Sequence, residues 1–232
     1  MVVIRQRPQG GTCAYDKTLV PSLVVYSDGA VLASDDGGYF CDKLPRIWLG
    51  WVDPIWTRSR LGSYFSSDQS RVDMTTWVPV ADGMTTQLIF TAQNAVPKDV
   101  SAYVLDLGRL GIQPPSGQAS ARAALRAVIA DLTRRVDHTT PWLPRSVEVV
   151  KPATWVPKYG GSPHPWPAPV SAAVSSVVAG AEGACTILTG KEAAALLKAQ
   201  QNRTAMSSWL ISGHSHPLAV GVVIPGLASC VN

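Results

Sequence analysis

An α+β fold built on antiparallel sheet is predicted by three observations. Two Asp-Gly pairs, Asp28-Gly29 and Asp82-Gly83, each stand between apolar, β-branched runs, the pattern of a β-hairpin. Segments 120–135 and 190–201 read as helices. Hydrophobic residues make up 46% of the chain and charged residues 16%, which supports an ordered core and argues against disorder. A chain of 232 residues is within reach of one domain, so residues 1–232 are read as a single α+β domain. Its sheet is expected to be built from hairpins and to pack against two to four helices.

Residues 2–7 read as a first strand, and Gly10-Gly11 and Pro21 lead into the hairpin 23–34, where Asp28-Gly29 is expected to form a two-residue type I′ turn. Between residues 44 and 65, Ile47, Trp51, Ile55 and Leu61 recur at roughly helical intervals, with Asp53 as the expected cap and Pro54 at the first helical position. The second hairpin joins 77–80 to 85–90. Residues 100–107 form a strand ended by Gly108 and the Gly- and Pro-bearing stretch 111–115. In the helix 120–135, Ala121, Leu125, Val128 and Leu132 make one stripe, Arg122, Arg126 and Arg134 lie off it, and Asp131 and Arg135 stand four apart as a weak ion pair. Residues 146–150 alternate as a strand. Residues 152–169 form an ordered loop crowded with Pro, Gly, Trp and Tyr, unlike a Gly/Ser linker. A strand at 185–188 feeds the helix 190–201, with Thr189 and Glu192 at the spacing of a capping box. Strands at 208–212 and 218–224 flank Gly213-His214-Ser215-His216-Pro217.

Twenty Lys and Arg oppose 16 Asp and Glu, and these basic residues are scattered without a polybasic block, so nucleic acid is not an expected partner. No apolar run approaches the length of about eighteen residues that spans a bilayer, and the first residues lack the layout of a secretory signal. The four cysteines contain no Cys-x-x-Cys, which argues against a thiolate metal site and against a redox dithiol. Two structural disulfides are expected instead, Cys13 with Cys41 and Cys185 with Cys230, because each then closes within one end of the chain. Four free buried thiols are the alternative. Disulfides require an oxidising compartment, so the expectation is an extracytoplasmic protein whose leader or lipid anchor is absent from this chain.

Several motifs invite chemistry. Gly213-His214-Ser215-His216-Pro217 resembles a nucleophile elbow, making Ser215 the nucleophile of an alternative serine-hydrolase reading, but Pro217 replaces the final glycine and residues 218–223 read as strand. His214 and His216 share a face of an extended segment without an evident third ligand, so no metal site is assigned. Thr189-Gly190-Lys191 fails as a phosphate loop because Cys185 and Glu192 occupy the positions of the first glycine and the magnesium-binding hydroxyl. Asp35 and Asp36 lack the spacing of a calcium loop, and Asn202-Arg203-Thr204 is a glycosylation triplet common by chance. No cofactor is expected. Eight tryptophans against three phenylalanines leave Trp155 and Trp166, in the Pro-rich tract, as candidate binding residues, with burial beneath the loops as the alternative.

Pro21 followed by Tyr26-Ser27-Asp28-Gly29-Ala30-Val31-Leu32 resembles a Tyr-Gly-Asp-Gly segment of a family of uncharacterised secreted or lipid-anchored actinobacterial proteins. The order of later landmarks is similar too: Trp166-Pro167, Cys185, Thr189-Gly190, Trp209, and a closing Pro225-Gly226 and Cys230. Ser27 stands where that family has glycine, Ile224 departs from its leucine-rich approach to the closing Pro-Gly, and Cys13 and Cys41 are additional. The resemblance implies an extracytoplasmic domain and no particular activity. The functional expectation is a non-enzymatic binding or accessory subunit at the cell envelope with a membrane or cell-wall protein as partner; the alternatives are the hydrolase and a wall-glycan binder using exposed tryptophans.

Overall fold

The computed structural model describes residues 1–8, 20–34, 44–76, 78, 80, 83–153, 162–201, 206–227 and 230. It confirms an α+β chain of mainly antiparallel sheet, with four α-helices among the described residues. The residues expected to form one domain divide into two compact units, the first made of Met1–Gly10, Pro21–Gly37 and Arg46–Trp142, the second containing Leu143–Asn232. Each has its own sheet and core.

In unit one, seven strands lie in the order β6-β5-β1-β2-β3-β4-β7. They are β1 (Val2–Pro8), β2 (Leu23–Val25), β3 (Ala30–Ser34), β4 (Ile47–Trp51), β5 (Met84–Phe90), β6 (Lys98–Tyr103) and β7 (Asp137–Trp142). Register decides which face is buried: Ile4 stands opposite Leu23 and Leu88, and Val25 opposite Val2 and Val31. These residues, with Val100 and Ala102, form one apolar face against α1 (Pro54–Ser66) and α2 (Ala119–Arg135). The α2 stripe is as predicted, and Ala121, Leu125, Val128 and Leu132 are each fully buried.

The first helix starts where expected. The Asp53 carboxylate accepts from the Ile55 and Trp56 amides at 2.8 and 3.3 Å, so orphan donors of the first turn are satisfied and Pro54 loses nothing by lacking one. The helical spacing read back to Ile47 does not hold. Residues Ile47–Trp51 are β4, paired with β3 and β7, because tertiary pairing outweighs a coincidental period over so short a run.

Both Asp-Gly expectations need correction. The first hairpin forms, but Gly29 N donates to Tyr26 O and Tyr26 N to Ala30 O, a three-residue loop in which Gly29 takes φ +91° while Asp28 caps the Ala30 amide. It is a type I turn closed by a glycine bulge, not a type I′ turn. At Gly29 a Cβ would come within 2.5 Å of Val52 O and 2.7 Å of Trp51 Nε1, so the end of β4 presses against this turn. The second hairpin is absent as drawn: β5 pairs with β1 and β6, and neither Val78 nor Val80 belongs to a strand, while Asp82 lies outside the described residues. Gly83 makes room instead, since a Cβ there would meet Val104 at 2.5 Å and the Tyr103 ring at 2.7 Å.

Arg122 is the other correction in this unit. Placed off the apolar stripe by its charge, it is 1% exposed, with Nε and Nη2 on Gln118 Oε1, Nη1 on Tyr103 O and Val104 O, and Nη2 also on Met74 O. Val104 holds φ +48°, a strained angle for a β-branched residue, and the guanidinium grips the carbonyls on both sides of its Cα. Asp131 pairs not with Arg135 but with Arg60 at 3.0 Å and Arg134 at 2.6 Å, leaving Arg135 stacked 4.2 Å above the Trp56 ring.

Unit two has five strands in the order β10-β8-β12-β11-β9. They are β8 (Ser146–Val150), β9 (His164–Pro165), β10 (Cys185–Thr189), β11 (Met206–Ile211) and β12 (His214–Val222). Val147, Val149, Leu188, Trp209, Ile211, Leu218 and Val220 make the face that packs with α3 (Ala172–Ala179) and α4 (Gly190–Gln200). The sequence reading missed α3, a Val- and Ala-rich octet whose signals are Ser171, which accepts from the Val174 amide, and Gly180 at its end. Lys151 Nζ reaches the last carbonyls of that helix, Val178 O at 3.0 Å and Gly180 O at 2.7 Å, a cation at the negative end of its dipole. The capping box at Thr189 does not form: its side chain makes no cap bond, and Glu192 accepts from Ser171 Oγ at 2.9 Å, tying α4 to the cap of α3.

Candidate functional site

In unit one the chain ends of β1, β2 and β5 meet the first turn of α1 around a cavity of about 380 Å³. That volume is in the range of small-ligand sites, about 300–1000 Å³. Val2, Val25, Pro54 and Phe90 supply its apolar lining, and Tyr26, Ser27, Thr57 and Arg58 its polar groups. The local sequence explains the arrangement. The Tyr26–Gly29 turn projects Tyr26 and Ser27 beyond the sheet, and Pro54 and Thr57 stand on the turn capped by Asp53. Thr57 is committed, its Oγ1 donating to Asp53 O at 2.9 Å. Burial holds the Tyr26 phenol above its usual range, with Asp28 adding to the effect. Arg58 is exposed and has no carboxylate partner among the described residues, and it helps burial to draw the neighbouring Met1 amino group below its usual value. The cavity therefore joins an apolar lining to an unneutralised cation, an arrangement suited to an anionic group on an apolar stem.

The residues singled out from sequence fall elsewhere. Trp166 is 8% exposed and packs edge-to-face on Trp209, ring centroids 5.3 Å apart, inside the core of unit two. It is a core ring, because the short parallel pairing of β9 with β11 draws it in; Trp155 lies outside the described residues. Trp51, 54% exposed beside the Gly29 turn, is the one exposed tryptophan among the described residues, with Trp48, Trp56 and Trp142 half-buried.

Ser215 is in β12, entered through Ser212 and Gly213 at φ +51° and +80°, a two-residue type I′ turn with Ile211 opposite His214. That is a strand-to-strand hairpin where an elbow needs strand-to-helix. Ser215 Oγ meets Ser208 Oγ at 2.5 Å, and strand alternation directs the flanking histidines to the other face. The His216 imidazole is held below its usual value first by burial, then by the charges of His214 and Lys151.

Of the expected disulfides, Cys185–Cys230 is present with Cα atoms 5.4 Å apart, and Cys13 and Cys41 lie outside the described residues. Glu148 stands beside it, 1% exposed, with Oε2 3.9 Å from Cys230 Sγ. Sequence reading had no access to this neighbour. Cys185 pairs with Val150 across the β8–β10 ladder, and Glu148, two residues back, shares that face. Among the described residues no helix is long and apolar enough to cross a membrane.

Comparison with known protein families, curated proteins and solved structures returns no match for this chain, so its own geometry is what carries a functional reading.

Proposed function

We propose that this chain is a non-catalytic binding or accessory subunit of the cell envelope, acting on the extracytoplasmic side and engaging a membrane or cell-wall protein. The cavity of unit one carries the reading: its lining is part apolar and part polar, the Arg58 guanidinium beside it has no carboxylate partner among the described residues, and it is walled by the Tyr26–Gly29 turn, the segment on which the family resemblance rests. The Cys185–Cys230 bond supports an oxidising compartment, and a second bond between Cys13 and Cys41 belongs to the same proposal.

Arg58 makes no ion pair within the described fold, so Arg58→Glu tests the cavity without disturbing the core. Native envelopes are passed over immobilised wild-type chain and over the variant, and the retained proteins are identified by mass spectrometry. Wild type is expected to retain a protein that the variant loses at least about tenfold, with both melting at the same temperature. Equal recovery on both columns places binding away from the cavity. Non-reducing peptide mapping of the protein from its native compartment checks the other half, and four alkylatable thiols there would defeat the extracytoplasmic assignment.

A further inference from the structure

We propose that the reduced chain binds a divalent metal ion of the zinc type through Cys185, Cys230 and Glu148. One ligand atom from each lies within 4.8 Å of the other two. The three come from distant stretches of chain, so the cluster is a product of the fold. Cys185 opens β10, Glu148 projects from the same face of β8, and Cys230 is brought over by the segment after β12. Neither cysteine is fully exposed and Glu148 is 1% exposed, so the three ligand atoms are withdrawn from bulk water.

Coordination geometry makes the case quantitative. With Zn–S of about 2.3 Å and Zn–O of about 2.0 Å, tetrahedral ligands sit roughly 3.5 Å apart for sulfur to oxygen and roughly 3.8 Å for sulfur to sulfur. The Glu148 oxygen lies 3.9 Å from Cys230 Sγ in the oxidised chain, near the ligand-to-ligand spacing that such a site requires. Once the S–S bond is gone the two sulfurs separate by side-chain rotation, from Cα atoms only 5.4 Å apart. An external phosphine or dithiol supplies the two electrons that break that bond, and each sulfur takes a proton. The metal ion then displaces both protons, leaving two thiolates and one carboxylate as ligands and a fourth position for water. Oxidised, the sulfurs are spent on each other and the site is closed; the same residues thus hold the tail covalently in one state and through a metal in the other.

The test titrates Co²⁺, then Zn²⁺ in competition, into full-length chain reduced with a phosphine under anaerobic conditions. One equivalent of Co²⁺ is expected to give thiolate-to-cobalt charge-transfer absorption with tetrahedral d–d bands, and calorimetry in two buffers should count about two protons released per Zn²⁺. Oxidised chain should show neither signal. Cys185→Ser and Cys230→Ser should each weaken binding at least about hundredfold, Glu148→Gln about tenfold or more, and the double variant Cys13→Ser with Cys41→Ser should bind as wild type. Circular dichroism of oxidised Glu148→Gln checks that it folds; should it not, binding by the Cys13, Cys41 double variant and its loss on adding Cys230→Ser decide the matter. Absent charge-transfer absorption, affinity indifferent to Glu148→Gln in a folded variant, or binding that depends on Cys13 and Cys41 would each overturn the proposal. Because the cavity of unit one takes no part, failure here leaves the binding reading standing.

Discussion

The two units seat helices on a sheet by different chemistry. Unit one has a mixed core, aliphatic side chains with Tyr64 and Phe65 among them, and locks it by charge, with the buried guanidinium of Arg122 spread over one side-chain amide and three backbone carbonyls. Asp131 adds a bridge between α1 and α2 through Arg60. Unit two uses an aromatic pair, Trp166 on Trp209, and a covalent bond, with Lys151 and Glu192 serving only helix ends. The difference teaches where each unit is fragile. A guanidinium with five hydrogen bonds cannot be removed without stranding acceptors, whereas a ring can be removed only by leaving a hole.

Trp209→Ala sharpens the contrast most. The side chain is fully buried, and its loss should cost about 3–5 kcal/mol, with faster amide exchange in β8, β11 and β12 and little change in β1, β2 and β5. Arg122→Met should cost about 3 kcal/mol and invert that pattern, since methionine fills much of the volume but takes the guanidinium donor from the carbonyls of Tyr103, Val104 and Met74, the last keeping only the Tyr103 amide. Hydrogen exchange read by mass spectrometry would break the comparison if either substitution loosened both sheets equally.

The smallest effect is a matter of pH. Hydrogen bonds from Arg60 and then Arg134 hold the Asp131 carboxyl below its usual range. A folded-state value lower than the unfolded one, about 3.9, means that its contribution is complete above the unfolded value and is lost as pH falls through the folded one. Asp131→Asn should therefore lower the urea midpoint at neutral pH, leave it little changed near the acid end, and flatten the acid limb between them. A parallel shift at every pH would show that packing, not ionisation, joins α1 to α2 there.

What was legible in the sequence was local. The Asp53-Pro54 start of α1, the stripe on α2, the strands 146–150 and 185–188 and the disulfide at the C-terminal end all rest on spacings of a few residues or on cysteine count. Turn type was harder, because Asp-Gly serves both a type I′ turn and a glycine bulge, and the choice at Gly29 is set by the close approach of Trp51 and Val52. Arg122 was misplaced for a physical reason: a charge counts as exposed in any hydropathy pattern, and its acceptors lie 18 to 48 residues away in sequence, apart from Gln118. Trp166 failed as a surface residue because a two-residue strand leaves almost no periodic trace. The cavity and the Glu148 neighbour of the disulfide depend wholly on which strands pair, information that no single segment contains.

The bond between Cys185 and Cys230 also sets a mechanical path. Tension applied to the polypeptide beyond residue 230 passes through the two sulfurs onto the first residue of β10, and from there along the hydrogen-bonded ladder to β8. The residues between the cysteines, which stand 45 positions apart, include α4, β11 and β12 and bear none of it. At roughly 3.4 Å per extended residue they amount to about 150 Å of slack that stays out of the load until the bond is reduced. A protein tethered through this end would be short and stiff while oxidised, and extensible once reduced.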